Sequence, residues 1–298
     1  MLWLFLALFG ALFTSLTGIL AKIGIKDVNS NFATFFRTAV VIVFSIILCS
    51  ISGSISSISV LSKQNWLFLV LSGIATGCSW LCYYKAIKLG NINKVTPIDK
   101  SSFILSSVLF IIFFFEDTTN GGDLLTIIML MLSIILMFSG TILMIGKNSN
   151  DKTSTKGWLI YAILSAVFAS IVSLFVKIGL KGCPSDLGTL IRTVIVCIFA
   201  FLIVLIRKDY QGTKNITNKS WLFLTLSAIA TGGAWLCEYA ALNIDNVNPV
   251  AVNSISKLSI LLTMLFSFFI LKEKFTKKSL LGLGLLVLGI ILIIIFSL

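Results

Sequence analysis

Long apolar runs follow one another along this chain, and each is close to the length that crosses a bilayer. A spanning helix needs about 20 mostly apolar residues. Ten segments qualify: 2–25, 32–51, 66–87, 95–115, 124–146, 157–180, 187–206, 221–243, 250–271 and 279–297. The connectors between them are short and carry Asn, Asp, Ser or Lys. Of the 298 residues, 58% are hydrophobic and 11% charged, whereas soluble domains are about 25% charged. No soluble core could hide this much apolar surface. The runs are continuous rather than alternating, which excludes a closed membrane barrel. The first run starts at Leu2 with no basic residue ahead of it and continues past the length of a signal core. It is expected to remain as the first helix. Pro249 stands where a helix start tolerates proline.

The chain also repeats itself. At an offset of 155 positions, 15 of the 22 residues in 66–87 are identical in 221–242. The same offset carries "KIGIK" (22–26) onto "KIGLK" (177–181) and Arg37-Thr38 onto Arg192-Thr193. After a two-residue insertion, Lys100 falls on Lys257 and Glu116 on Glu273. The reading is two copies of a five-span unit, 1–146 and 157–298, joined by the polar linker 147–156. The expected fold is an all-α polytopic membrane protein with ten transmembrane helices as two inverted five-helix repeats. Because five is odd, the second copy must enter the membrane upside down, and the loop charges reverse accordingly. The gap after the third span holds Lys85, Lys88 and Lys94 in copy one but only Glu238 and Asp245 in copy two. The gap after the fourth span is acidic in copy one (Glu116, Asp117, Asp123) and basic in copy two (Lys272, Lys274, Lys277, Lys278). Basic loops stay cytoplasmic. Sixteen Lys and Arg lie in or beside alternate gaps, starting with the first, against three (Lys63, Lys177, Lys181) in the others. Both termini are therefore expected outside, in a multi-pass protein of the cytoplasmic cell membrane.

Two five-span inverted units with these landmarks resemble the drug/metabolite transporter superfamily, EamA type. The landmarks are "FFRTAV" (35–40) and "LIRTVI" (190–195) in the second spans, and "SGIATGCSWLCYYKAI" (72–87) and "SAIATGGAWLCEYAAL" (227–242) in the third. The fourth spans end in an acid, "FFFED" (113–117) and "FFILKEKF" (268–275), and a glycine-rich fifth span follows, "LGLGLLVLGIILII" (281–294). "VTPIDKSSF" (95–103) resembles the fourth-span start of short single-unit members. The resemblance covers nearly the whole chain and implies a ten-helix transporter with a central cavity near the third, fourth, eighth and ninth helices. In some relatives both termini are cytoplasmic, opposite to the charge count.

Charges inside the spans mark the candidate site. A charged side chain at the bilayer centre costs about 2.5–3.5 kcal/mol on insertion scales and normally faces a cavity or a partner. Arg37 and Arg192 lie roughly 8 Å inside their spans at 1.5 Å per residue. Lys100 is as deep, and Lys257 lies roughly 12 Å past Pro249 by the same rise. Snorkelling, or capping a neighbouring helix's carbonyls, is the alternative for each; for Lys100 it is pairing with Asp99. Trp80, Tyr83, Tyr84, Trp235 and Tyr239 follow the small-residue stripes Gly73-x3-Gly77 and Ala228-x3-Gly232, either as an interface belt or as a cavity lining. Glu238 replaces Tyr83 in an otherwise near-identical helix. It would break the symmetry for an asymmetric substrate, contact an amine or carry a coupling proton, or else stand exposed at a helix end. Asn253, four residues before Lys257, completes the candidate substrate-binding set.

The function expected from this set is secondary transport of a small polar metabolite bearing a carboxylate, such as an amino acid or organic anion, by alternating access. Export of cationic or aromatic compounds is the alternative, and a lipid flippase or scaffold subunit is a third class. The expected partners are a small-molecule substrate, the lipid bilayer and a coupling proton or ion. A formal charge of +12 is explained by topology rather than nucleic acid. No Walker motif is present. There is no histidine and no pair of intramembrane aspartates, so an enzyme is not expected. Six cysteines without CxxC spacing read as small apolar fillers rather than as a zinc or disulfide framework, and no cofactor is expected.

Overall fold

The computed structural model describes residues 2–25, 28–89, 98–99, 101–119, 122–144, 157–210, 216–271 and 277–297. Every regular element among them is helical: α1 (Leu2–Gly24), α2 (Ser30–Ser52), a 3-10 helix (Ser54–Val60), α3 (Lys63–Leu89), α4 (Ser102–Phe113), α5 (Phe115–Thr119), α6 (Leu124–Met144), α7 (Trp158–Gly179), α8 (Ser185–Arg207), α9 (Asn218–Leu242), α10 (Pro249–Ile255), α11 (Leu258–Leu271) and α12 (Lys277–Ser297). Seven helices are long and apolar enough to cross a membrane, and three apolar stretches are shorter. The linker 147–156, Lys100 and Glu273 lie outside the described residues.

The chain divides into two compact units, each drawing on both halves of the sequence. The first comprises Met1–Ile74, Phe175–Ile244 and Ser256–Lys272; the second comprises Ala75–Leu174, Asp245–Ile255 and Glu273–Leu298. In the first unit α1 packs on α9 and α11, and α2 packs on α8 and α9. In the second, α6 packs on α12, and the short α10 meets α4, α5 and α12.

Two of these pairs join repeat mates. At one end of the α2–α8 pair, Asn31 Nδ2 donates to Asp209 Oδ2 at 2.6 Å and Asn29 Nδ2 to Oδ1 at 2.9 Å. At the other end, Ser52 Oγ donates to Asp186 Oδ2 at 2.5 Å. The start of α2 therefore meets the end of α8, and the helices run antiparallel. In the fifth-span pair, a Cβ on Gly140 would lie 2.5 Å from the Gly282 oxygen, and one on Gly289 would lie 2.8 Å from the Ser133 oxygen. The ascending numbers of α6 meet the descending numbers of α12, so this pair is antiparallel too. Opposite direction in mated helices is the geometry of an inverted duplication.

Local chemistry explains the ends. Asn29 caps α2 by accepting from the Asn31 amide at 2.8 Å. Gly53 closes α2 at φ 73°, a left-handed conformation that glycine adopts without a Cβ penalty. Asp186 stands in the first turn of α8 and Arg207 in its last, each complementing the helix dipole.

The ninth apolar run, continuous in sequence from 250 to 271, is broken in the structure. Asn248 Oδ1 accepts from the amides of Val250 and Ala251 at 3.0 and 3.3 Å, which starts α10 behind Pro249. Its Nδ2 donates to the Thr118 oxygen at 3.0 Å. All seven residues of α10 are buried. The helix stops at Ser256 and Lys257 and restarts at Leu258 through three-residue hydrogen bonds, Ser259 N to Ser256 O and Ile260 N to Lys257 O. The fourth run likewise turns at Ser101, whose amide donates to the Ile98 oxygen at 3.2 Å. Hydropathy cannot register such breaks, because the turn residues are too few to interrupt an apolar average.

Candidate functional site

The first unit gathers most of the charge expected inside the spans. α8 places Arg192 one turn from Gly188, and the side chain is only 4% exposed. Its guanidinium carbon stands 4.9 Å from the centroid of the Trp235 ring and 5.6 Å from that of Tyr239. The two rings are four residues apart on α9, so they share one face of that helix. Arg192 also hydrogen-bonds the Tyr239 hydroxyl. Cation–π contacts of this kind contribute about 2 kcal/mol when desolvated. They leave the planar fork of the guanidinium suited to a carboxylate.

Glu238 adjoins Tyr239 on α9. Its carboxylate hydrogen-bonds Ser256 and lies within electrostatic reach of Lys257 and Arg192. Ser256 and Lys257 are the two residues at the break between α10 and α11. The break thus stands beside Glu238, with the Ser256 hydroxyl bonded to the carboxylate and the Lys257 ammonium within its electrostatic reach. One carboxylate is set against two cations, leaving an excess of positive charge at an aromatic wall.

Arg37, the repeat mate of Arg192, has a different environment. Its Nη2 donates to Thr231 Oγ1 at 2.7 Å. Thr231 meets Thr17 Oγ1 at 3.3 Å and donates to the Ser227 oxygen at 2.8 Å, and Ser227 donates to the Thr17 oxygen at 2.9 Å. This chain of hydroxyls ties α1, α2 and α9 together. Lys177 Nζ donates to the Leu242 oxygen at 2.6 Å, capping the end of α9.

The remaining candidates stand in the second unit. Asp99 Oδ1 accepts from Ser165 Oγ at 2.8 Å. Ser165 in turn exchanges hydrogen bonds with Ser79 across α3 and α7, each hydroxyl meeting the other's carbonyl at 3.1 Å. Asn253 is buried, with Nδ2 donating to Ser106 Oγ at 2.8 Å. Tyr83 packs against Ala86 and Ala162. Trp80 is half-buried. Lys100 and the side chain of Tyr84 lie outside the described residues. Among the described residues no group of three His, Cys, Asp or Glu could hold a metal ion. Sequence reading did not single out Ser256, Thr231 or Thr17. For Ser256 a signal existed: it occupies the place in "ISK" (255–257) that Asp99 holds in "IDK" (98–100).

A chain whose described elements are all helical, with this many apolar spans, is a multi-pass membrane protein. Residues 1–139 and 156–295 match the EamA-like transporter family, and the chain belongs to that family. A relative from Sinorhizobium sp, described as an uncharacterized transporter in the cobO 3'region, is 42% identical over 106 residues, 36% of this chain and 75% of the relative. In fold, the chain is similar to one in a solved crystal structure at a TM-score of 0.70 and 16% identity. That match covers 96% of this chain and 94% of the other.

Proposed function

We propose that this protein is a secondary transporter that moves a small, carboxylate-bearing metabolite, such as an amino acid or organic anion, across the cytoplasmic membrane by alternating access. The observation that carries the reading is Arg192, buried against Trp235 and Tyr239, and within electrostatic reach, together with Lys257 at a helix break, of the single acid Glu238. Two cations against one carboxylate favour an anionic group on the substrate. A helix interrupted inside the membrane is a usual place for substrate and coupling-ion sites in transporters. The alternative, export of cationic compounds, has the aromatic rings in its favour. It is weakened because Glu238 already faces two cations.

In this reading the chain has ten spans as two inverted copies, 1–146 and 157–298, with the linker 147–156 between them and both termini outside. The antiparallel mates α2–α8 and α6–α12 support the inversion, and the loop charges support the orientation. A reporter active only outside the cell, fused after Leu298, is expected to be active; cytoplasmic behaviour would overturn the orientation.

The test of function is uptake into proteoliposomes of a labelled set of monocarboxylates and α-amino acids, with a labelled set of aromatic and quaternary amines as the second arm. Saturable flux of a carboxylate probe is expected. Flux confined to the amines would overturn the reading in favour of the alternative.

A further inference from the structure

Of the eleven acids in the chain, only Asp99 and Glu238 lie inside the ten apolar runs, and each copy holds one. They are not repeat mates. Glu238 falls on Tyr83, and Asp99 falls on Ser256, so each acid has a hydroxyl residue for its mate. The structure relates the two exchanges, because Glu238 hydrogen-bonds Ser256. The position that lost an acid and the position that gained one are therefore in contact.

Three further observations place Asp99 in the equivalent setting of the second unit. It precedes Lys100 as Ser256 precedes Lys257. Its run turns at Ser101 as the other turns at Ser256 and Lys257. Its hydrogen-bond donor, Ser165, is the repeat mate of Gly10, and Ser165 bonds Ser79, the mate of Ala234. In the first unit a Cβ on Gly10 would meet the Ala234 oxygen at 3.4 Å and the Glu238 amide at 3.5 Å. Both acids thus sit beside the same helix–helix contact, once as α3–α7 and once as α9–α1.

We propose that Asp99 is copy one's form of the Glu238 carboxylate. The acid has changed helix between the copies, leaving Tyr83 and Ser256 as the vacated positions, and in copy two it positions the fourth-span lysine, Lys257, for the substrate. A lysine inside the membrane needs a charge partner. The partner can approach from the third span or from the residue before the lysine, provided the two positions touch. This rests on the transport site proposed above.

The test transposes the acid. Glu238→Tyr gives copy two the residue copy one already carries there, and Glu238→Tyr/Ser256→Asp completes the copy-one arrangement. Asp99→Ser and Asp99→Ser/Tyr83→Glu do the reverse. Purified variants are compared by melting temperature and by uptake of the labelled monocarboxylates and α-amino acids. Each single variant is expected to melt lower, and Glu238→Tyr to raise KM for the transported probe about tenfold, since Lys257 loses its positioning partner. Each double is expected to recover what its single loses. A double no better than its single overturns the transposition and leaves the site reading standing. So does a Glu238→Tyr variant that melts lower with KM unchanged, because the acid is then only a structural tie. Unchanged uptake and melting in Glu238→Tyr overturns the site reading and the transposition together. If the wild type moves none of the carboxylate probes, the site reading fails, and recovery or non-recovery of the melting temperature still decides whether the acid is transposed.

Discussion

Asn31 and Asp209 are joined at 2.6 Å, and their repeat mates, Asp186 and Ser54, meet at the opposite end of the same helix pair. In both clasps the acid belongs to the α8 side and the neutral donor to the α2 side. Both ends of the pair therefore close with one chemistry, the first half of the chain supplying the donors and the second half the acids. Hydrogen bonds to charged groups contribute about 1.5–3 kcal/mol each, and the exposure of the Asn29 bond places these clasps at the low end. Asp209→Ala is expected to lower the melting temperature of the purified protein, and so is Asn31→Ala. Because both remove the same contact, the double variant should fall by less than the sum. Full additivity would show that the clasp carries no coupling.

The contact between α6 and α12 depends on glycine at one place, Gly140 on α6, and not at another, Gly284 on α12. A Cβ at Gly140 would stand 2.5 Å from the Gly282 oxygen and 2.8 Å from the Leu286 amide nitrogen, both rigid backbone. Gly284 has nothing within 4 Å. Gly140→Ala must push the helices apart and should destabilise by about 1–3 kcal/mol. Gly284→Ala should leave stability unchanged or slightly raised, as Ala is the better helix former. Thermal unfolding of the two variants in the same detergent checks the contrast. Equal melting would mean that α6 and α12 do not approach as closely as described.

Cys183 lies between α7 and α8, is 1% exposed and is pushed up to about 11 by burial, with Asp186 adding to the shift. The thiolate is the reactive form, and an ordinary thiol titrates at about 8.5. In a variant retaining only Cys183, maleimide labelling at pH 7 should be slow and should rise about tenfold per pH unit up to the shifted value. Asp186→Asn removes a neighbouring negative charge, favours the thiolate and should speed labelling. Rapid labelling at pH 7 in the folded protein would place Cys183 at an open surface.

The helical class and the duplication were legible because membrane spans and repeats are written in local pattern. The intramembrane charges could also be found, since each is conspicuous in an apolar run. Their partners could not. Arg37 and Arg192 sit in the same Arg-Thr pair between apolar residues, and the residue that Arg37 reaches, Thr231, has a threonine at its mate, Thr76. Nothing local separates an arginine tied to a threonine from one laid over Trp235 and Tyr239. The break at Ser256 and Lys257 escaped for the same reason: its partner, Glu238, is remote in sequence.

Arg192 and Lys257 divide the work of holding an anion in different ways, and substitutions should separate them. Arg192→Lys keeps the charge but loses the planar fork and much of the stacking on Trp235 and Tyr239. It should raise KM for the carboxylate probe while the protein still folds. Lys257→Gln removes a charge next to Glu238 and should abolish flux, with expression and monodispersity nearly intact. Wild-type flux in Lys257→Gln would show that the ammonium serves only to cap or to balance.

The two units are expected to be unequal at matched positions 83 and 238. Copy one offers a phenol packed on Ala86 and Ala162, and copy two an acid facing Ser256, Lys257 and Arg192. Glu238→Gln keeps the shape and a hydrogen bond to Ser256 but leaves two cations in one cluster without their counter-charge. Like charges in a partly desolvated site repel, so the site should loosen, and KM for the carboxylate probe or the pH dependence of its uptake should change. Tyr83→Glu in the Glu238→Gln background restores the formal charge of the chain. It puts that charge in the other unit, which already holds Asp99, so it should not rescue uptake. Electrostatic attraction falls with distance and is screened wherever water enters. Only a carboxylate within reach of Lys257 and Arg192 can replace the one removed. Uptake across pH for the single and double variants decides between the two outcomes. Rescue by Tyr83→Glu would mean that total charge, rather than the local contact with Ser256 and Lys257, is what the transporter requires.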